Sequence, residues 1–212
     1  MKTINLKGIW KQVPIDYYDR GINKNLLQKI WHTNKLRIFK QLTKDYRPKK
    51  ILDVGCASGI MTNQISKIFS SSKIYGIDSY KEAIIFAKKK YPSLDFQTAD
   101  AHKLPFKSGS FDLVVCYETI EHVVNPAEVL NEINRVTRKN GVVVLAMDSG
   151  SLLFRMVWWI WEKTKGRVWH NAHLHPFHHN ELEVVVKQAR FKIIKKKFSH
   201  MGMEVSFILK KN

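Results

Sequence analysis

The sequence predicts an α/β fold built around one doubly wound, mostly parallel sheet. Apolar strand-like runs alternate with amphipathic segments from residue 50 onward. The first run leads directly into a turn containing Gly55 and Gly59, and acids end the first two runs, at Asp53 and Asp78. Because the carboxyl ends of parallel strands lie at one edge of a sheet, these features predict a nucleotide-type binding site there.

The elements follow in order along the chain. Residues 23–46 have helical apolar spacing and end at Arg47-Pro48, so residues 1–48 form a helical extension that acts as a lid or a sheet cover. Residues 49–212 form the main domain. We predict strands over 51–54, 73–77, 95–98, 110–117, 142–147, 191–198 and 204–209, the last two antiparallel around Gly202, and helices over 79–90, 126–138 and 181–189.

The turn departs from a dinucleotide fingerprint. Ala57 stands where a glycine is frequent, and no Gly-x-Gly pair occurs, which counts against a pyrophosphate ligand. Asp78 lies about 20 residues beyond the turn, the spacing at which a carboxylate meets ribose hydroxyls. A glycine-rich connection without a ligand is the alternative.

Four ordered blocks resemble the class I S-adenosylmethionine-dependent methyltransferases, in particular the methyltransferase type 11 group that includes ubiquinone and menaquinone biosynthesis enzymes. The blocks are the Asp-x-Gly-x-x-x-Gly turn, the acid after strand two, Thr98-Ala-Asp-Ala101 and the segment 110–123. The resemblance implies a Rossmann-like seven-stranded sheet and S-adenosylmethionine as cofactor. The residues that it assigns to the cofactor are Asp53, Gly55, Cys56, Gly59, Asp78, Ser79, Asp100, Ala101 and Tyr117.

Methyl transfer from a sulfonium requires alignment of the acceptor and, for a hydroxyl acceptor, removal of its proton. His122 is the predicted general base, because an imidazole titrates near neutrality. Glu118, Glu121 and His122 have i, i+3, i+4 spacing, which would place them together if the segment is helical. A structural histidine is the alternative. The same Glu-x-x-Glu-His cluster resembles a proposed divalent-cation site of ubiquinone O-methyltransferases, but no metal is the main expectation.

The segment near 151–180 is expected to choose the substrate. It contains five histidines between 170 and 179, which we interpret as part of a substrate-covering loop, since no cysteine accompanies them and Pro176 makes the segment irregular. The predicted substrate residues are Tyr17, Tyr18, Glu118, His173 and His175; the tyrosines occupy a position that relatives fold across the active site. Surface positions are the alternative for the tyrosines and histidines.

Residues 151–161 concentrate three tryptophans, Trp158, Trp159 and Trp161, in a run that is too short to span a bilayer. Tryptophans beside cations are typical of an interfacial helix on a membrane, and the alternative is a lid over an apolar pocket. The net charge of +18 is concentrated in the flanks, with 13 basic against 3 acidic residues in 1–50 and 12 against 4 in 151–212. An anionic membrane surface is therefore an expected partner, with simple solvated lysines as the alternative.

We therefore predict methyl transfer to a small, apolar or membrane-derived acceptor such as a quinone, phenol or lipid. The alternatives are an RNA methyltransferase that uses the basic flanks, although no RNA-binding module is evident, and a noncatalytic cofactor-binding adaptor. Cys56 and Cys116 are interpreted as packing residues, and the polar residues 1–14 predict no signal peptide. The cytoplasm, with peripheral attachment to the inner membrane face, is the expected location.

Overall fold

A seven-stranded sheet forms the centre of the protein in the computed structural model, which describes residues 13–164, 166–169, 174–175 and 177–211. The sheet order is β3-β2-β1-β4-β5-β7-β6, and β7 runs antiparallel to both its neighbours whereas β1 to β5 pair in parallel. The predicted fold class is confirmed. The strands are β1 Lys50–Val54, β2 Lys73–Asp78, β3 Asp95–Thr98, β4 Phe111–Tyr117, β5 Thr137–Asp148, β6 Phe191–Ser199 and β7 Glu204–Lys211.

Helices cover both faces of this sheet. They are α1 Tyr17–Lys24, α2 Leu26–Thr43, α3 Ile60–Ile68, α4 Lys81–Lys90, α5 Pro126–Val136, α6 Leu152–Lys163 and α7 His179–Gln188. Strand side chains alternate between the faces: Val114 packs with α5 and α7, whereas its neighbour Val115 packs with α2 and α3. One hydrophobic layer therefore lies on each face of the sheet, and the parallel pairing of β1 to β5 places their carboxyl ends at one edge.

The N-terminal helix predicted over 23–46 is two helices. Asn25 has extended backbone angles, and its side chain accepts from the backbone N–H groups of Leu27 and Gln28, so it begins α2 as an N-cap. Tyr17 and Tyr18 consequently belong to a separate helix, α1, that precedes the cap. The second half of α2 is buried against the sheet as a cover, whereas its first turns are exposed.

The boundary between α5 and β5 also differs from the prediction. The helix was expected to continue through Arg138, but it ends at Val136 and the strand starts at Thr137. Thr137 pairs with Phe111 at the start of β4, and Arg138 forms an ion pair of 2.5 Å with Asp112. These contacts are long-range, so tertiary pairing overrides the local helical pattern. Other element ends agree to within about two residues.

Candidate active site

The glycine turn after β1 is closed by hydrogen bonds within the protein. The backbone N–H groups of Gly55 and Cys56 both donate to the carbonyl of Ile77, at 2.8 and 2.9 Å. Ala57 has a positive φ of 45°, unusual for a residue with a side chain, and its N–H donates to the Asp78 carboxylate at 2.9 Å. The turn is thus tied to the end of β2, and the two predicted acids lie at the same edge.

Gly55 and Gly59 are required by packing as well as by their backbone angles. Both have a φ of 78°, and a Cβ on Gly55 would overlap the side chain of Thr119. A Cβ on Gly59 would come within 2.7 Å of the Phe96 ring. The N–H of Gly59 donates to the carbonyl of Cys56 at 2.9 Å. The N–H groups of residues 55, 56, 57 and 59 therefore all donate within the protein, so they are not available to bind a phosphate.

Two acids at this edge lie in surroundings that disfavour their charge. Asp53 is 2% exposed, and burial raises its pKa to about 7 against the opposing effect of a hydrogen bond from Thr62 Oγ1 at 2.6 Å. Burial also raises the pKa of Asp78, opposed by hydrogen bonds from the backbone of Tyr80 and Ala57. Within the described part of the chain, neither acid forms a salt bridge with lysine or arginine.

The chemistry of this edge fits S-adenosylmethionine. The cofactor carries an ammonium and a sulfonium and no phosphate, so it needs carboxylates, which Asp53 and Asp78 supply, and no phosphate cradle. Burial disfavours the ionised form of both acids. A cationic ligand bound beside them would favour that ionised form. Thr62 donates to the Asp53 carboxylate and Ala57 to the Asp78 carboxylate, and neither residue was identified from the sequence.

The predicted cofactor residues Asp100 and Ala101 follow β3. Asp100 accepts from the N–H of His102 and pairs with His102 Nδ1 at 2.6 Å, while His102 Nε2 accepts from the N–H of Asn125 at 3.1 Å. Because Nε2 accepts, Nδ1 is the nitrogen that donates to Asp100. Partial burial raises the pKa of Asp100, but the hydrogen bonds from His102 outweigh this effect and lower it. Ala101 packs against the main core. Asp100 is therefore held in place and ionised.

The remaining predicted cofactor residues have different surroundings. Ser79 is exposed directly after Asp78, and Cys56 is buried with Phe96 beside the turn. Tyr117 ends β4 with its ring packed edge-on against Phe39 of α2, at 6.1 Å between centroids. Cys56 and Cys116 are both free and buried, and burial raises the pKa of each thiol. A contact of these residues with the cofactor stays a prediction.

Glu118, predicted on the substrate side, is bound to α2. It has a positive φ of 47°, and its carboxylate forms a 2.6 Å ion pair with Lys35 Nζ and accepts from Trp31 Nε1 at 3.4 Å. Burial opposes its ionisation, but Lys35 outweighs this effect and lowers the pKa of Glu118 to about 2. This strained residue therefore anchors the N-terminal extension to the end of β4.

Glu121 and His122 lie in a short 3-10 turn, Ile120–His122, rather than in an α-helix. Glu121 is 2% exposed, burial and then Asp148 raise its pKa, and its Oε2 has no hydrogen-bond partner among the described residues. Its backbone carbonyl accepts from the N–H groups of Leu174 and His175, both at 3.0 Å.

The α-helix that would place Glu118, Glu121 and His122 on one face is not formed. The backbone turns at Glu118, whose carboxylate reaches α2 instead. Among the described residues, no group of three or more histidine, cysteine, aspartate or glutamate side chains is placed to hold a metal ion. The alternative cation site at these three residues is therefore not supported by the geometry.

An aromatic cluster covers the mouth of the site, and we call it the aromatic wall. It consists of Tyr17, Tyr18 and Trp169, with centroid distances of 5.7 Å between the tyrosines and 5.5 Å from Tyr17 to Trp169. The ring of His122 lies nearly parallel to Trp169 at 6.2 Å. Burial, then Glu118, raises the pKa of Tyr18, so its hydroxyl is neutral and lies near the acids. Trp169 was not identified from the sequence.

His175, predicted on the substrate side, contacts the backbone of the segment that follows His122. Its Nε2 is 3.1 Å from the carbonyl of Val124, and its ring stacks on Phe177 at 5.4 Å. His173 lies outside the described residues.

Asp148, at the end of β5, was not identified from the sequence. Burial raises its pKa to about 7, and it lies at the carboxyl end of a buried strand, as Asp53 and Asp78 do. The strand-end rule could have found it.

The predicted tryptophan helix is α6. Trp158 packs with the aromatic wall and stacks on Phe154 at 5.7 Å, whereas Trp159 is 58% exposed, with Lys163 Nζ 4.1 Å from the centre of its ring. Trp161 is partly buried. No helix within the described ranges is long and apolar enough to cross a membrane.

Comparison with known proteins agrees with this geometry. The family model of the methyltransferase domain matches residues 52–145. The mitochondrial ubiquinone biosynthesis O-methyltransferase of Saccharomyces cerevisiae is 31% identical over 115 residues, which are 51% of this chain and 37% of that protein. Its counterpart from Schizosaccharomyces pombe is 33% identical over 119 residues, 51% of this chain and 41% of that protein. The chain thus spans well under half the length of these two relatives.

The fold comparison covers nearly the whole chain. A crystal structure of a SAM-dependent methyltransferase from Thermotoga maritima superposes with a TM-score of 0.75 at 21% identity, covering 98% of this chain and 100% of that one. The family match includes the glycine turn and both strand-end acids, Asp53 and Asp78. Residues 52–145 thus match the methyltransferase domain family, and the described chain shares the fold of class I S-adenosylmethionine-dependent methyltransferases.

Proposed function

We propose that this protein transfers a methyl group from S-adenosylmethionine to a small apolar acceptor of the quinone, phenol or lipid type. The observation that carries the proposal is the aromatic wall, Tyr17, Tyr18 and Trp169, which covers the carboxyl edge of the sheet beside His122. Flat aromatic and aliphatic acceptors pack well on such rings. The similarity to two ubiquinone biosynthesis O-methyltransferases supports the same acceptor class.

The cofactor would supply an electrophilic methyl group on a positively charged sulfur. Asp53 and Asp78 would hold it, since both carboxylates lie at the turn and lack a lysine or arginine salt bridge among the described residues. The aromatic wall would exclude water and orient the acceptor, which is the main contribution that a protein makes to an in-line displacement.

His122 is the proposed general base for a hydroxyl acceptor. Its ring is 8% exposed and lies nearly parallel to Trp169, so its orientation is restricted beside the aromatic wall. In the transfer, the acceptor oxygen would form a bond to the methyl carbon as the bond between that carbon and the cofactor sulfur breaks, and the acceptor's proton would move to a ring nitrogen of His122. Glu118 would act as a positioning residue that holds α2 at the end of β4, because its carboxylate is already bound to Lys35 and Trp31.

The test is transfer of radiolabelled methyl from S-adenosylmethionine into cell extract that is separated into lipid-soluble, nucleic-acid and small polar fractions. The Asp78→Asn variant should lose the transfer because the cofactor site is altered. The matched control is Asp95→Asn, which changes an exposed aspartate paired with Lys73 at 3.4 Å at the start of β3.

We expect label in the lipid-soluble fraction with the native protein and with Asp95→Asn, and none with Asp78→Asn. Label confined to RNA would overturn the proposed acceptor in favour of nucleic acid. Cofactor binding without label in any fraction would contradict the catalytic proposal and indicate an adaptor role. Circular dichroism on each variant separates these results from loss of folding.

A further inference from the structure

Helix α6 is apolar, but none of its twelve described residues is buried. Its exposed apolar side chains range from 41% to 82% exposure, and they are Leu152, Met156, Val157, Trp159 and Ile160. A helix on a soluble surface usually buries one apolar stripe and presents polar residues outward. Here the outward face is the apolar one, which indicates a surface that another phase or molecule covers.

A second exposed apolar group lies at the start of α2. Leu26, Leu27 and Ile30 are 71%, 72% and 54% exposed. The helix runs from the carboxyl edge of the sheet, where Trp31 and Lys35 meet Glu118, toward the start of β1. These side chains therefore project at the same edge as the mouth of the site.

Contacts through the loop after β6 connect the two groups. Trp31 of α2 stacks on His200 with centroids 3.8 Å apart, and the next residue, Met201, is 84% exposed. The carbonyl of Gly202 then accepts from Ser149 Oγ at 2.5 Å, two residues before the N-cap of α6. The start of α2, Met201 and α6 consequently form one apolar border at the active-site mouth, which we call the apolar rim.

The charges on the apolar rim have one dominant sign. Residues 20–37 contain no acidic side chain, and α6 carries Arg155 and Lys163 with Glu162 as its acid. Exposed cations in these two segments are Lys24, Lys29, Arg37, Arg155 and Lys163, together with Arg20, which is paired with Asp16. Exposed leucines, isoleucine and tryptophan interspersed with cations match the interfacial region of an anionic bilayer, where apolar groups enter the acyl boundary and cations meet lipid phosphates.

We propose that the apolar rim docks the protein on an anionic membrane surface, with the active-site mouth facing the lipid. This inference rests on the proposed function, because it names the bilayer as the phase from which the apolar acceptor enters. The aromatic wall lies between the rim and the acids, since Trp158 of α6 packs with Tyr17, Tyr18 and Trp169. An acceptor that leaves the bilayer would therefore meet aromatic surface before it meets His122.

The test is co-sedimentation with vesicles of phosphatidylcholine alone and of phosphatidylcholine mixed with phosphatidylglycerol, at low and high salt. The variants are Trp159→Ser and Ile160→Ser on α6. The matched control is Ile194→Ser, because Ile194 in the middle of β6 is 49% exposed and Ile160 is 51% exposed. Thermal unfolding of each variant confirms that the fold is retained.

We expect binding to the anionic vesicles that weakens with salt, by about five-fold for each cation that engages the surface. Each α6 substitution should weaken binding about ten-fold, as loss of one apolar side chain from the interface predicts, whereas Ile194→Ser should bind like the native protein. Absence of sedimentation with anionic vesicles, or equal losses for Ile160→Ser and Ile194→Ser, overturns the proposal.

A second copy of this chain is the competing occupant, and it has its own signature. If the protein is a dimer by analytical ultracentrifugation, does not bind vesicles, and becomes monomeric in Ile160→Ser, the rim is a subunit interface and the proposal is wrong. Sedimentation requires neither cofactor nor acceptor, so its failure does not bear on methyl transfer. Conversely, Ile160→Ser should retain transfer to a detergent-dispersed acceptor if the proposed function is correct.

Discussion

Replacing Asp53 with asparagine should stabilise the cofactor-free protein and weaken cofactor binding. Burial raises the pKa of Asp53 from 3.8 to about 7, a shift of about 3 units that corresponds to about 4 kcal/mol. Because the folded pKa lies above the unfolded one, the contribution of this proton to stability is complete below 3.8 and is lost as the pH rises through about 7. At pH 8 the folded protein therefore carries a buried, ionised Asp53.

An asparagine at this position stays neutral and can still accept from Thr62 Oγ1. We expect Asp53→Asn to gain about 2 kcal/mol at pH 8, less than the full shift because the amide also has to be buried. Near pH 5 native Asp53 is protonated, so the difference should disappear. Urea unfolding at both pH values measures this, with the exposed Asp95→Asn as a control that should change little.

The same titration predicts that the native protein releases protons when it binds the cationic cofactor. With a pKa of about 7, Asp53 should release about half a proton at pH 7, and the affinity should be about five-fold lower at pH 6 than at pH 7. Calorimetry in two buffers with different ionisation enthalpies measures the release. A buffer-independent enthalpy, or an Asp53→Asn protein that is less stable than the native protein at pH 8, would refute the reasoning.

Three further changes have distinct readouts. His122→Asn should lower kcat about 100-fold while the cofactor Kd measured by calorimetry stays unchanged; an equal loss in both would make His122 a structural residue. Lys35→Met leaves the Glu118 carboxylate without its cation, so urea unfolding at pH 7 should show a loss of about 2–3 kcal/mol that shrinks as the pH falls from 4.5 toward 2. Gly55→Ala should destabilise by more than 2 kcal/mol because it adds overlap to backbone strain, whereas Gly202→Ala, with a φ of 85° and open space, should lose about 1 kcal/mol.

The binding edge was predictable because strand ends have local signals. A buried strand followed by an acid and a glycine turn identifies Asp53 and Gly55 within a few residues, and parallel pairing brings Asp78 to the same edge. The register pairs Asp53 with Gly76 and Val54 with Ile77, so the two acids meet at the turn. The order of strands, acids and glycines in the sequence was therefore enough to predict this edge.

The surroundings of residues 118–122, which contain the proposed base His122, were not predictable in the same way. The spacing of Glu118, Glu121 and His122 indicated one helical face, but the structure turns sharply at Glu118 and pairs it with Lys35, 83 positions earlier. A pair this distant leaves no local pattern. Trp169 was missed for a similar reason, since only the fold of α1 over the mouth gives it aromatic neighbours.

Both unusual features of this molecule lie at the same edge and oppose the stability of the isolated chain. Asp53 and Glu121 are buried where ionisation is disfavoured, and α6 exposes apolar side chains to water. Sequences that specify one structure usually violate such rules where function requires it. A cationic cofactor removes the first conflict and a lipid surface removes the second, so each ligand should stabilise the protein independently. Additive shifts in Tm from cofactor and anionic vesicles would support two separate sites, whereas the loss of either shift in the presence of the other would contradict that separation.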